Sequence, residues 1–293
     1  MLLLAQQVVN GLFLGAVFTL VALAFSLNMG ILGVLNIAIA ELFMFGGFIG
    51  LALLERGLPL PLVLGTAMVV AGLLSLLLER VGYQPVDKDD PTVTLLTTIG
   101  FGLILQNVAI NVWGSEPSFF PSRLFSERAS LGPLRVSAVQ GVSVLVTVLL
   151  VVVLWYLVSR TRLGRGLRAV AENREAAVLL GVRVLRVEVA TFVAAGLLAG
   201  GAGVLLGLNY GVISPEFGIE IGISGIAAMI LGGVRNIWGA LVAGPVLGLA
   251  SVLSAAYLGA GFQDMVVFGL LILTLLVRPQ GLLGRRDPTA GRV

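Results

Sequence analysis

Residues 159–186 read SRTRLGRGLRAVAENREAAVLLGVRVLR and hold seven arginines and two glutamates, in a chain that is otherwise almost continuously apolar. At roughly 2.5–3.5 kcal/mol for an arginine at a bilayer centre, seven of them would make burial in lipid unfavourable by about 20 kcal/mol. The stretch therefore lies outside the lipid. Arginine-rich loops between membrane spans stay on the cytoplasmic side, so this loop orients everything else. From 165 to 180 there is no proline and one internal glycine, which predicts a short amphipathic helix. Leu167, Val170, Ala171, Ala177 and Val178 would form its apolar face, Glu172 and Glu175 stand among the arginines, and Gly181 occupies the C-cap position.

Composition sets the class. A chain of 293 residues with 58% hydrophobic and 11% charged residues, and a mean hydropathy of +1.08, is not a water-soluble globule, in which about 25% of residues are charged. It reads as an all-α polytopic membrane protein, one domain over residues 1–293. Cysteine and histidine are absent, which removes disulfides, thiol nucleophiles, imidazole metal ligands and Ser-His-Asp catalysis. Lys88 is the sole lysine and follows no glycine-rich phosphate loop, so the chain carries no ATP site, and no cofactor is expected. The net charge of +3 comes from the arginine-rich loops, which fits membrane orientation better than nucleic-acid binding.

The remaining chain divides into apolar runs at 2–27, 31–54, 58–78, 92–113, 137–158, 187–210, 238–257 and 265–277, with polar loops at 79–91 and 114–135. The first run reads as a retained span, since no basic residue precedes it. The run at 221–233 is too short to cross about 30 Å of hydrocarbon and ends at Gly232 and Gly233. Short or glycine-interrupted segments point to broken helices that line a transport path. The expectation is eight to ten spans with a broken or re-entrant segment near 221–236, and with the 159–186 loop and the C-terminus cytoplasmic.

Glu41 lies inside the run 31–54, near Asn36, and a carboxylate within a span faces the bundle interior or a water-filled cavity. It either lines the translocation pathway or binds backbone at a kinked turn. Gln106 and Asn107 place amides inside the 92–113 run. The pairs Gly11/Gly15, Gly46/Gly50 and Gly244/Gly248, and the series Gly196, Gly200, Gly203 and Gly207, mark faces where helix backbones can approach closely, and plain packing is the leading reading of them.

Five stretches together resemble a known family: VNGLFLGAVFTLVALAFSLNMGILGVLNIAIAELFMFGG, TTIGFGLILQN, RTRLGRGLRAVAENREAAVLLGV, ISGIAAMILGGVRNIWGALVAGPVLGL and VRPQGLLG. The chain resembles the permease subunit of bacterial ATP-binding-cassette importers for branched-chain amino acids, the LivH type. The resemblance implies the importer permease fold shared with ribose permeases. It also implies two ABC ATPase subunits, a second and different permease subunit, and an extracytoplasmic substrate-binding protein, all at the bacterial inner membrane. Glu175, Ala176, Ala177 and Gly181 match the EAA…G coupling pattern that seats in an ATPase groove, with Arg168, Glu172 and Arg174 beside it. Asn36, Glu41, Gln106, Asn107, Gly232 and Gly233 would belong to the pathway. Where the family reads N-F-A-H-G-E this chain has Ile39 and Ala40 in place of histidine and glycine, so a permease for urea, short amides or another polar solute is the alternative. An ion-coupled secondary transporter is a further rival, and an enzyme is not expected.

Overall fold

The computed structural model describes residues 2–86, 90–121, 128–131, 134–234 and 236–284. Lys88, Arg235 and the arginines after 284 lie outside the described residues. Eleven α-helices make up nearly all of the rest: α1 Leu2–Leu27, α2 Ala38–Glu55, α3 Leu60–Leu78, α4 Pro91–Trp113, α5 Ala138–Arg160, α6 Arg162–Glu172, α7 Arg174–Leu179, α8 Val184–Tyr210, α9 Phe217–Gly232, α10 Ile237–Tyr257 and α11 Gln263–Val277. Eight of these helices are long and apolar enough to cross a membrane, α11 when counted with the helical turn Ala260–Phe262 that runs into it. The ninth apolar helix, α9, has 16 residues and rises only about 24 Å.

Glycine explains which helices touch. The α1 pair Gly11/Gly15 packs on the α10 pair Gly244/Gly248, so that a β-carbon on any of the four would overlap backbone across the contact. The other close crossing joins α2 to α8, where a β-carbon at Gly46 would overlap Gly200 and one at Gly203 would overlap the Phe43 carbonyl. Gly196 and Gly200 face α3 in the same manner, at Ala71 and Ala67. Without a hydrophobic drive between helices in lipid, contact at this range supplies the van der Waals attraction that holds them together. The spacing read as packing is packing.

Two short antiparallel strand pairs lie between helices. Ser118–Phe119 pairs with Val212–Ile213, which joins the chain leaving α4 to the chain leaving α8. Arg128–Leu131 pairs with Leu134–Ser137 ahead of α5. At the far end of α4, Trp113 stacks on Phe48 of α2 with ring centroids 5.2 Å apart and meets Phe45 edge-on.

Two expectations change. The run 31–54 is not one helix: α1 continues into a π turn at Asn28–Leu32, the chain stops at Gly33 with φ +71, and it runs without helix to Ile37 before α2 starts. Hydropathy sees side chains, whereas the interruption is made by backbone. The predicted helix at 165–180 is also two helices, divided at Asn173, whose φ of −157 and ψ of 113 are extended.

Candidate functional site

Two polar regions stand out. The first is the connection between α5 and α8, residues 161–183, on the face that carries the arginines. Thr161 caps α6 by accepting from the Gly164 amide at 3.0 Å, and Asn173 caps α7 by accepting from the Ala176 amide at 2.9 Å. At the end of α7, the Gly181 amide donates to the Val178 carbonyl at 2.9 Å and the Val182 amide to Ala177 at 3.0 Å. Those two bonds, with Gly181 at φ +78, form a Schellman closure that needs glycine at this position.

Leu167, Val170 and Ala177 bury themselves with Val187 of α8, and Ile31 packs against them. The break at Asn173 resets the helical phase. Val178, counted with the apolar face from sequence, is 56% exposed, and Leu179 and Leu180 are 88% and 81% exposed. Three apolar residues thus form the tip of a capped helix that points away from the bundle. Arg168, Glu172, Glu175, Ala176 and Gly181 are exposed around this tip, and Ala177 is buried beneath it. Arg168 donates to the Val158 carbonyl.

Arg174 turns inward. Its guanidinium lies 2.5 Å from the carboxylate of Glu188 on α8, a residue 1% exposed, and it also bonds Tyr83 in the π turn Glu79–Tyr83 after α3. Burial works against the arginine's charge, but the bonds to Glu188 and Tyr83 carry its pKa above the ordinary guanidinium value. Tyr83 packs on Phe192 of α8, with centroids 5.0 Å apart. The start of α7 is therefore pinned to two spans at once. Glu188 and Tyr83 were not singled out from sequence. The signal was there in Glu188, a carboxylate at the start of an apolar run, about one turn into a span.

The second region is the gap between α1 and α2. The Ile37 amide donates to Thr98 Oγ1 of α4 at 3.3 Å. Asn36 is fully buried with neither amide atom partnered, and Asn28, also fully buried, leaves its Oδ1 unpartnered. Glu41 is 5% exposed and its Oε2 has no partner. Two glycines make room for it. A β-carbon on Gly102 would come 3.2 Å from the Glu41 Cγ, and one on Gly218 would come 2.6 Å from Oε2.

Gly102 is the central residue of α4, and Gly218 lies in the first turn of α9. The carboxylate therefore sits level with the middle of α4, beside the positive end of the short helix α9, where a negative charge is favoured. Gln106 joins this cluster by donating to the Pro215 carbonyl just ahead of α9, at 3.4 Å. Glu41 and Gln106 thus converge near the start of α9, with Asn36 buried in the stretch that leads into α2.

The other three residues expected with them do not. Gly232 and Gly233 lie at the opposite end of α9, about 21 Å away by helical rise. There the segment read as VRPQGLLG folds back, with Leu282 and Leu283 donating to the carbonyls of Leu231 and Gly232, and Asn236 donating to Leu283. Gly233, at φ +105, is pressed against Gly281 and Gly284. This motif closes the carbonyl end of α9. Asn107 points out of the bundle, exposed on α4, and donates only to its own helix at Leu103.

Comparison with known proteins follows the same outline. A family model described as branched-chain amino acid transport system, permease component, matches residues 7–275. The chain is 36% identical to the high-affinity branched-chain amino acid transport system permease protein LivH of Escherichia coli K12, over 96% of each chain. It is likewise 36% identical to the permease protein BraD of Pseudomonas aeruginosa, again over 96% of each. Among solved structures, PsaBC from Streptococcus pneumoniae superposes with a TM-score of 0.50 at 14% identity, covering 92% of this chain and 91% of that one, a likeness of fold.

Proposed function

The chain belongs to the branched-chain amino acid transport system permease family, and from that premise we propose how its two polar regions divide the work of an ATP-driven importer. It is a multi-pass membrane permease, and the hydrolysis of ATP belongs to separate subunits. The solute is a branched-chain amino acid, delivered by an external binding protein. The pathway is completed by a second permease subunit.

The connection at 161–183 is the cytoplasmic handle on which the ATPases act. The observation that carries this is the exposed apolar tip of α7, Val178, Leu179 and Leu180, on a helix capped at both ends and anchored at Arg174. Burying Leu179 and Leu180 in a groove would contribute roughly 3–6 kcal/mol, which a solvated loop forgoes. The EAA alanines contribute differently: Ala177 lets α7 sit close on α6 and α8, and Ala176 and Glu175 flank the tip. A push on α7 reaches α8 through Glu188 and the end of α3 through Tyr83. From α8 it reaches α2, and so Glu41, through the glycine crossing at Gly200 and Gly203. The unpartnered Asn36 and Glu41 and the start of α9 line the solute's route at mid-membrane.

The test is the double substitution Leu179→Asp with Leu180→Asp in the complete importer. The permease should insert and keep its melting temperature while losing its ATPases on purification, and uptake should fall at least about tenfold, as the loss of even 1.4 kcal/mol at the contact requires. Normal ATPase recovery with normal uptake would sink the handle assignment.

A further inference from the structure

The inward stripe of α4 is Thr94, Thr98, Gly102, Leu105 and Ala109, buried at four- and three-residue steps. The opposite face carries Leu96, Gly100, Ile104, Asn107 and Asn111, again at four- and three-residue steps, and all are exposed. Other spans also show bare faces, and theirs are suited to lipid: Leu145, Leu149 and Val152 on α5, Leu73 and Leu77 on α3, Ile272 and Leu273 on α11. Among the described residues, exposed carboxamides inside a span occur on α4 alone.

Asn107 lies about 9 Å short of the end of α4, below the membrane surface. Its Nδ2 donates to Leu103 at 2.8 Å and the Nδ2 of Asn111 donates to the Asn107 carbonyl at 2.7 Å, which leaves each amide oxygen facing outward. Polar side chains at such a depth face protein or water rather than hydrocarbon. About two turns away, Gly100 exposes bare backbone with open space above it, the notch that another helix needs to come close. An occupant at this depth must itself span the membrane, which excludes the ATPases and the binding protein.

We propose that the outer face of α4, from Gly100 to Asn111, is the seat of a membrane-spanning helix of the second permease subunit, packed into the Gly100 notch and hydrogen-bonded to the amides of Asn107 and Asn111. This rests on the importer reading above. It places the subunit contact one helix away from Glu41, whose Cγ touches the other side of α4 at Gly102. Contact and pathway then share α4 as a common wall.

The experiment is photocrosslinking in the complete importer, in native membranes, with benzoylphenylalanine placed at Ile104 on α4 or at Leu149 on α5. Ile104 should give an adduct to a permease chain, identified by mass, and Leu149 should give adducts to lipid. A second permease that co-purifies without forming an Ile104 adduct, or that reacts equally from Leu149, overturns this seat and leaves the importer reading standing. Absence of any second permease from the purified complex overturns both. As a second readout, Asn107→Leu should leave insertion unchanged and reduce survival of the permease pair in mild detergent by about 3- to 10-fold, the scale of one interhelical hydrogen bond. A pair that is unchanged or more stable would mean that Asn107 faces lipid.

Discussion

Helices α5 and α8 flank the same arginine-rich connection and both are long enough to span, yet they occupy opposite places in the molecule. In its most apolar 18-residue window α8 is 72% buried, whereas α5, the more hydrophobic of the two, is 17% buried. Apolarity therefore does not say which helix is inside. Small side chains do, because in lipid a leucine gains nothing by moving from hydrocarbon to protein, while a glycine allows backbone contact that lipid cannot supply. Helix α8 carries Gly196, Gly200, Gly203 and Gly207 within twelve residues, and its partners are α1, α2 and α3. Helix α5 carries valines and leucines, with Trp155 and Tyr156 near the arginine face, where aromatic residues settle at a membrane boundary.

The sharpest way to break that comparison is to exchange the two kinds of residue. Gly203→Leu on α8 would drive a side chain into the Phe43 carbonyl, and the helices can only respond by separating. Overpacking costs about 1–3 kcal/mol where a neighbour can move, and more where the neighbour is backbone, so little folded protein should be recovered in detergent. Leu149→Ala on α5 should shift stability by less than about 0.5 kcal/mol, the range of exposed substitutions. Fluorescence-detected gel filtration after a heating series would measure both. Equal losses would mean that α5 is covered by protein, which contradicts its lipid-facing role.

The next largest effect separates the two helices by their link to the connection. Arg174 is held by Glu188 of α8, whereas the neighbouring arginine, Arg168, reaches α5 through a backbone carbonyl alone. Removing one partner of a fully buried ion pair costs roughly 3–5 kcal/mol. Arg174 is 41% exposed and can turn toward water, so about 1–2 kcal/mol is expected for Glu188→Gln after discounting for solvent. The larger consequence should be functional: ATPases that still bind and hydrolyse, with fewer solutes moved per ATP. Arg168→Gln should leave that ratio intact, and a ratio unchanged in Glu188→Gln would show that α8 is not pushed through this pin.

Much of this was legible in residues that act locally. The seven arginines placed the connection, the glycine intervals gave the close crossings, and Gly181 announced its own helix end. The run 31–54 hid its break because Gly33 and Asn36 are embedded in apolar neighbours, and a hydropathy window averages over them. The Glu41 site was half legible. Its carboxylate was conspicuous, but the residues that shape its niche, Gly102 and Gly218, lie 61 and 177 positions away and carry no chemistry of their own. Asn107 was visible as an intramembrane amide, while its direction depends on the phase of α4 and could not be read from spacing. The division at Asn173 escaped notice because alanine and leucine, strong helix formers, stand on both sides of it.

Asn173 gives the smallest effect and the most specific one. Its backbone N–H donates to the Ala169 carbonyl at the end of α6, and its side-chain oxygen starts α7 by accepting from the Ala176 amide, so the start of α7 depends on one short side chain. Asn173→Ala removes the cap at a cost of about 1 kcal/mol and puts a strong helix former at the hinge. A continuous helix from 162 to 179 would rotate everything beyond the hinge, taking Ala177 off Leu167 and Arg174 away from Glu188. The bundle should hold those contacts, since Val187 and Glu188 are fixed in α8, so melting should shift by only a few degrees. ATPase retention should fall modestly, and Asn173→Asp, which keeps the cap, should restore it. If Ala and Asp behave alike, the two-helix geometry is set by burial of Ala177 rather than by the cap, and the tip formed by Leu179 and Leu180 is held from α8 alone.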